Sequence, residues 1–194
     1  ANIVMSYGMQ VGKELKQASV LDMEIIAPSH GIIFRKYVKE IVENYVKWSS
    51  NIVGKKALIV YDTMWDSTKK MAYTIQDAFE EKGYFTSMKC LQNDHISDII
   101  TEVLDAEYIC VGCPTLNNNM LPTVASFLTY LKGLSPKKRK AIAFGSYGWG
   151  GQSIGQVEEE LKQAKFDVIA TFKEQYIPSK EKLDNIKKEL KEKI

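Results

Sequence analysis

From Lys56 onward, two hydrophobic rhythms alternate along the chain. Short continuous apolar runs give way to stretches whose apolar positions recur every three or four residues. Ala57-Leu58-Ile59-Val60-Tyr61 has no polar break, as expected of a parallel strand buried on both faces. A helix is expected over 67–82, with Met71, Ile75, Ala78 and Phe79 on one face and Gly83 as its stop. A second strand is expected over 85–90. A second helix then carries Ile96, Ile99, Ile100, Val103 and Leu104, with Ser97 or Asp94 as its cap. The third strand is expected over 108–112, and a helix begins at Pro122 and runs to Leu131. A fourth strand (141–144), a helix (152–164), a fifth strand (168–172) and a last helix striped by Leu183, Ile186 and Leu190 complete the pattern. Strands alternating with helices predict an α/β fold: a doubly wound, five-stranded parallel sheet of order 2-1-3-4-5.

Residues 1–54 break the alternation. They read as a helix, a short strand over 23–27, the turn Pro28-Ser29-His30-Gly31, and a second helix. That helix would align Phe34, Val38, Ile41, Tyr45 and Trp48. A segment of this size with so much apolar surface is not expected to close a core alone. It should pack on the second domain, on another chain or on a missing part. The boundary is placed in 49–54, giving a unit 1–54 and a unit 55–194.

Lys plus Arg is 26 against 24 for Asp plus Glu, too even for a nucleic-acid surface. Three cysteines form no disulfide framework and point to a reducing compartment. No stretch approaches a membrane span or a signal peptide, so a cytoplasmic location is expected.

Three loops follow the first, third and fourth strands, at the edge where such sheets bind ligands. In Tyr61-Asp62-Thr63-Met64-Trp65-Asp66-Ser67-Thr68, three hydroxyls (Thr63, Ser67 and Thr68) crowd a helix start. Free amides and partial positive charge at a helix N-terminus can hold a phosphate without lysine. The competing reading is that Asp66 or Ser67 only caps the helix. Asp66 also raises an objection, because a carboxylate beside a phosphate repels it unless it points away. Pro114-Thr115-Leu116-Asn117-Asn118-Asn119 can offer backbone and amide groups to the edge of a ring, with Leu116 over one face. Taken alone, it reads as an ordinary Asn-rich turn. In Ser146-Tyr147-Gly148-Trp149-Gly150-Gly151, the glycines admit close approach and Tyr147 or Trp149 could stack on a ring. Together the loops describe a pocket for a phosphorylated flat aromatic ring.

Other motifs carry less. Gly148-x-Gly150 begins a dinucleotide fingerprint, but the third glycine is missing and the motif follows the wrong strand. Cys110-Val111-Gly112-Cys113 spells C-x-x-C but ends a strand instead of opening a helix. His95 reads as solvated. A phosphoacceptor domain would need an Asp where Cys113 stands.

These residues resemble the flavodiiron proteins, also called A-type flavoproteins. Residues 61–68 look like their phosphate loop, which differs from the Gly-containing loop of free flavodoxins. Gly112-Cys-Pro-Thr-Leu-Asn117 and Ser146-Tyr-Gly-Trp-Gly-Gly151 look like their second and third flavin loops. Ala27-Pro-Ser-His-Gly31, followed by Arg35, looks like the end of their metallo-β-lactamase-like domain. Cys113 stands where Ser is more often expected. The resemblance implies a flavodoxin-like domain that holds FMN and feeds electrons to two irons, which reduce oxygen or nitric oxide. It implies a head-to-tail homodimer, a redox donor protein or reduced cofactor, and His30 as the last iron ligand. With only His30 and His95 in the chain, the remaining iron ligands would have to come from a missing diiron domain. The expected role is therefore an FMN-binding electron-transfer domain, with neither nucleic acid nor membrane as partner. The alternatives are an NAD(P)H:quinone reductase on the same fold and a non-catalytic docking module.

Overall fold

The computed structural model describes residues 1–3 and 5–194. Its centre is a five-stranded parallel sheet of order β2-β1-β3-β4-β5. The strands are β1 (Gly54–Tyr61), β2 (Phe85–Cys90), β3 (Ala106–Gly112), β4 (Lys140–Tyr147) and β5 (Asp167–Gln175). The helices are α1 (Gly8–Ala18), α2 (Val38–Ser49), α3 (Ser67–Glu81), α4 (Ile96–Glu102), α5 (Pro122–Leu134), α6 (Gln152–Gln163) and α7 (Lys180–Lys193). The doubly wound α/β fold is as the sequence predicts.

Alternate strand residues feed two cores. Leu58, Val60, Ile109 and Val111 pack with α4, α5 and α6 through Ile100, Phe127 and Ile154. Ala57, Ile59, Tyr108 and Cys110 face the opposite way, toward Met71 and Phe79 of α3 and Ile186 and Leu190 of α7. This double burial is why the strands read as unbroken apolar runs. Cys110 and Cys113 fall in different cores and are free thiols, so they form no redox pair. Burial pushes the Cys113 thiol up to about 12.

Several expectations are corrected in detail. Residues 23–27 form no strand. Ile26 makes a single antiparallel bridge with Phe34, because no neighbouring strand extends it. Phe34 therefore precedes the helix, which begins at Val38. The fourth and fifth strands run on to Tyr147 and Gln175 through mutual pairing. The cap of α4 is His95, whose Nδ1 accepts the Ser97 amide hydrogen at 3.2 Å. Neither Ser97 nor Asp94 caps it, and Asp94 instead accepts from the Cys90 amide.

Arg139 is 3% exposed and is satisfied almost wholly by backbone. Its guanidinium donates to the carbonyls of Val103, Leu104 and Lys137, closing the end of α4 against β4. Burial lowers its pKa to about 10. Arg139→Ala should cost about 2–4 kcal/mol in urea denaturation, because buried carbonyls lose their donor.

Candidate functional site

The carboxyl edge of the sheet carries a cavity of about 450 Å³, within the range of cofactor pockets. The first loop supplies Met64, Trp65 and Ser67 to its wall. The second supplies Pro114 and Thr115, and the third Ser146, Tyr147 and Gly148. Tyr176 and Ile177, from the turn after β5, complete the lining. No lining residue carries a formal charge, so the slot suits a flat, largely apolar body.

Hydroxyl pairs clasp the loops to one another. Thr68 Oγ1 lies 3.0 Å from Ser146 Oγ, joining α3 to the end of β4. Thr115 Oγ1 lies 2.8 Å from Ser153 Oγ, joining the β3 loop to the first turn of α6. The Thr115 amide also donates to the Ser146 carbonyl. Thr68 is fully buried, so it acts as a strut below the surface of the site.

The start of α3 is the polar end of this edge. Ser67 is both the first residue of α3 and part of the slot wall, so the slot reaches the helix N-terminus. The amides of the first turn have no acceptor within the helix itself. Asp66 precedes them with φ 60°, a left-handed conformation, and makes no side-chain cap. Its side chain is 67% exposed and leans toward Lys69 at 3.9 Å, which answers the electrostatic objection to an anion here. Thr63 is buried, and its Oγ1 has no hydrogen-bond partner among the described residues. An orphaned hydroxyl beside free helix amides fits an anionic ester.

The remaining sequence candidates lie around the slot and do not line it. Leu116 and Asn119 close a tight turn through mutual backbone hydrogen bonds. Asn117 and Asn118 form its tip at φ 48° and 62°. That turn is held by Gln156, which bonds Met120, Asn118 and Asn119. Trp149 is 96% exposed and points away from any packed surface. Gly150 and Gly151 sit under Gln152 and Lys173, where an added Cβ would collide with those side chains. Lys173 also lies over the Tyr147 ring at 5.1 Å.

Tyr176 and Ile177 were not expected. Tyr176 takes φ 60°, and its amide donates to the Tyr147 carbonyl at 2.7 Å. That bond holds the turn at the slot wall, with the Tyr176 ring next to Gly148. The available signal was positional: an aliphatic-aromatic pair directly after a strand, at the edge where the other three loops end.

His30 is exposed in the loop between α1 and α2. Among the described residues, no three His, Cys, Asp or Glu side chains gather closely enough to hold a metal ion. Among the same residues, no helix is long and apolar enough to cross a membrane.

The family model described as Flavodoxin matches residues 59–189. The nitric oxide reductase of Moorella thermoacetica is 43% identical over 172 residues, covering 88% of this chain and 43% of that protein. The rubredoxin-oxygen oxidoreductase of Megalodesulfovibrio gigas is 38% identical over 175 residues, covering 88% of this chain and 44% of its own. Among solved structures, rubredoxin oxygen:oxidoreductase from Desulfovibrio gigas superposes with a TM-score of 0.92 at 35% identity, over 100% of this chain and 49% of that one. The flavodiiron protein from Giardia intestinalis gives 0.90 at 27% identity, over 99% of this chain and 48% of its own. A flavodoxin from the domain Archaea gives 0.61 at 26% identity, over 71% of this chain and 97% of its own. The chain thus spans about half the length of the curated relatives it matches.

Proposed function

Because this chain belongs to the flavodoxin family and is matched along its whole length by flavodiiron proteins, we propose that it is the FMN-holding, electron-transferring part of a flavodiiron oxidoreductase. The observation that carries this reading is the uncharged slot that runs up to the N-terminus of α3 at Ser67. The slot matches a tricyclic ring, and the helix end matches the 5′-phosphate.

Thr63, Ser67 and the first amides of α3 hold the phosphate. Met64 and Trp65 border one side of the ring, Tyr147 and Gly148 another, and Pro114 and Thr115 close the floor. Bound FMN supplies reversible one- and two-electron chemistry. The protein excludes water from the ring and fixes the ring against the sheet edge. The β3 turn with Leu116, Asn117 and Asn118 stands beside the slot and guards its rim, as do Trp149, Gly150 and Gly151 in the β4 turn.

The chain divides near residue 54 into a flavin unit, 55–194, and an accessory unit, 1–54. The share of this chain that the archaeal flavodoxin covers supports that division. Neither α1 nor α2 contains a fully buried residue. Val20, Ile32 and Tyr37 are exposed by 85%, 70% and 71%. Exposed apolar side chains of this kind suit packing against the rest of an enzyme that reduces oxygen or nitric oxide. The iron centre of that enzyme would need ligands from outside the described residues, with His30 as one contributor. Exposed Trp65, Trp149 and Ile177 around the slot mouth suit contact with a redox donor or a second copy of the chain.

Loading with FMN tests the reading. The chain should retain flavin absorption through gel filtration. It should bind FMN roughly 10³ times more tightly than riboflavin, the gain from charge-assisted hydrogen bonds to the phosphate. Equal affinity for the two flavins, or a colourless protein after loading, would sink it. Rapid quinone turnover with a nicotinamide donor and no protein partner would favour the quinone-reductase alternative.

A further inference from the structure

A buried carboxylate lies directly beneath the phosphate end. Asp62 follows the last residue of β1 and is 3% exposed. All its hydrogen-bond partners are neutral. Oδ1 accepts the Thr63 amide hydrogen at 2.6 Å and the Gln92 side-chain amide at 2.6 Å. Oδ2 accepts the Thr123 hydroxyl from the first turn of α5. The same Gln92 amide donates to the Thr63 carbonyl at 2.6 Å.

Both polar groups of the Thr63 backbone are therefore held, one by Asp62 and one by Gln92. The residue so fixed is the one whose buried Oγ1 has no partner among the described residues. Leaving a buried hydroxyl unbonded costs about 1–3 kcal/mol, which a correctly placed acceptor or donor recovers. A carboxylate cannot attract a phosphate, since like charges repel. Its contribution must be geometric.

We infer that Asp62 is a positioning residue that aims the Thr63 hydroxyl at the phosphate ester, and so sets the preference for FMN over riboflavin. The inference rests on the FMN reading above. It concerns three braces from separate parts of the fold: the end of β1, the turn after β2 and the start of α5. Asp62 itself touches no ligand.

The test is the ratio of riboflavin to FMN dissociation constants, read by flavin fluorescence on the whole chain. Asp62→Ala should lower that ratio roughly 10- to 100-fold. Thr63→Val should do the same, and the double variant should be no worse than either single one, because both remove one interaction. Asp62→Asn should keep the ratio within about threefold or raise it. Asparagine can still accept from the Thr63 amide, and the nearby negative charge is gone. Loss of folded protein scales both flavins alike and leaves the ratio unmoved. Equal weakening of both flavins in an Asp62→Ala chain whose melting curve matches the wild type, additive single variants, or a collapsed ratio in Asp62→Asn would each overturn the inference. A wild-type chain with no FMN preference overturns the FMN reading and this inference with it, whereas a wild-type preference that Asp62→Ala leaves intact overturns this inference alone.

Discussion

Gly145→Ala should lower the thermal midpoint by roughly 10 °C and weaken flavin binding in the same variant. Gly145 lies in β4, and a Cβ built there would sit 1.9 Å from the Cys113 carbonyl oxygen and 3.1 Å from Ile154 Cγ1. The first neighbour is backbone and cannot rotate aside. Cys113 is itself tied to β4, its amide donating to the Phe144 carbonyl at 3.0 Å. The added methyl must therefore push β3 and β4 apart at their carboxyl ends. Overpacking of this kind costs up to about 3 kcal/mol, and each kcal/mol moves the midpoint by about 2–4 °C at this size. Pro114 and Ser146 directly follow the displaced residues, so the slot deforms as the strands part. Gly155→Ala is the control. It lies in α6 with nothing within 4 Å of an added Cβ, and alanine there should stabilise by about 0.5–1 kcal/mol. Melting curves followed by far-ultraviolet circular dichroism separate the two. Coincident melts for Gly145→Ala and the wild type would show that the strands yield freely.

What the sequence discloses depends on whether burial or pairing makes the element. Residues 57–61 are legible because both faces of β1 are covered and no polar residue interrupts the run. The last residues of β4 and β5 are not legible in that way. Ser146 and Tyr147 pair with Glu174 and Gln175, so hydrogen bonds carry the strands past the end of the apolar run. Residues 23–27 show the converse. Their composition suits a strand, yet only Ile26 finds a partner, because no sheet edge lies alongside.

The candidate site divides similarly. The place of the three loops follows from topology, since ligands gather at the carboxyl edge of a doubly wound sheet. Direction within a loop is a tertiary property. Tyr147 lines the slot, whereas Trp149, two residues on, is almost wholly exposed. Asn117 and Asn118 suit left-handed turn positions, and they occupy them instead of reaching into the slot. The pair after β5 is not legible in the sequence because its place at the slot depends on the bond from Tyr176 to Tyr147. In the sequence, Asp62 has only a place in the first loop. Only the structure shows it turned inward onto Gln92 and Thr123.

Ser67→Asp is expected to lose FMN affinity by roughly 10³-fold while changing riboflavin affinity little. Ser67 is the first residue of α3, where the helix dipole favours a carboxylate by about 0.3–1 kcal/mol, but the side chain is buried and desolvation opposes that gain. The same carboxylate would stand in the wall of the slot, at the end assigned to the phosphate. Two unit charges about 4 Å apart repel by about 4 kcal/mol at an effective dielectric of 20, which corresponds to roughly a thousandfold in affinity. Riboflavin carries no phosphate, so its affinity should change by less than about threefold. The variant thus weakens FMN selectively over riboflavin, which a general loss of structure cannot do. Thermal melts paired with FMN and riboflavin titrations read all three quantities on one preparation. If Ser67→Asp keeps wild-type FMN affinity, the phosphate does not sit at this helix end, and the ring must enter the slot from another direction.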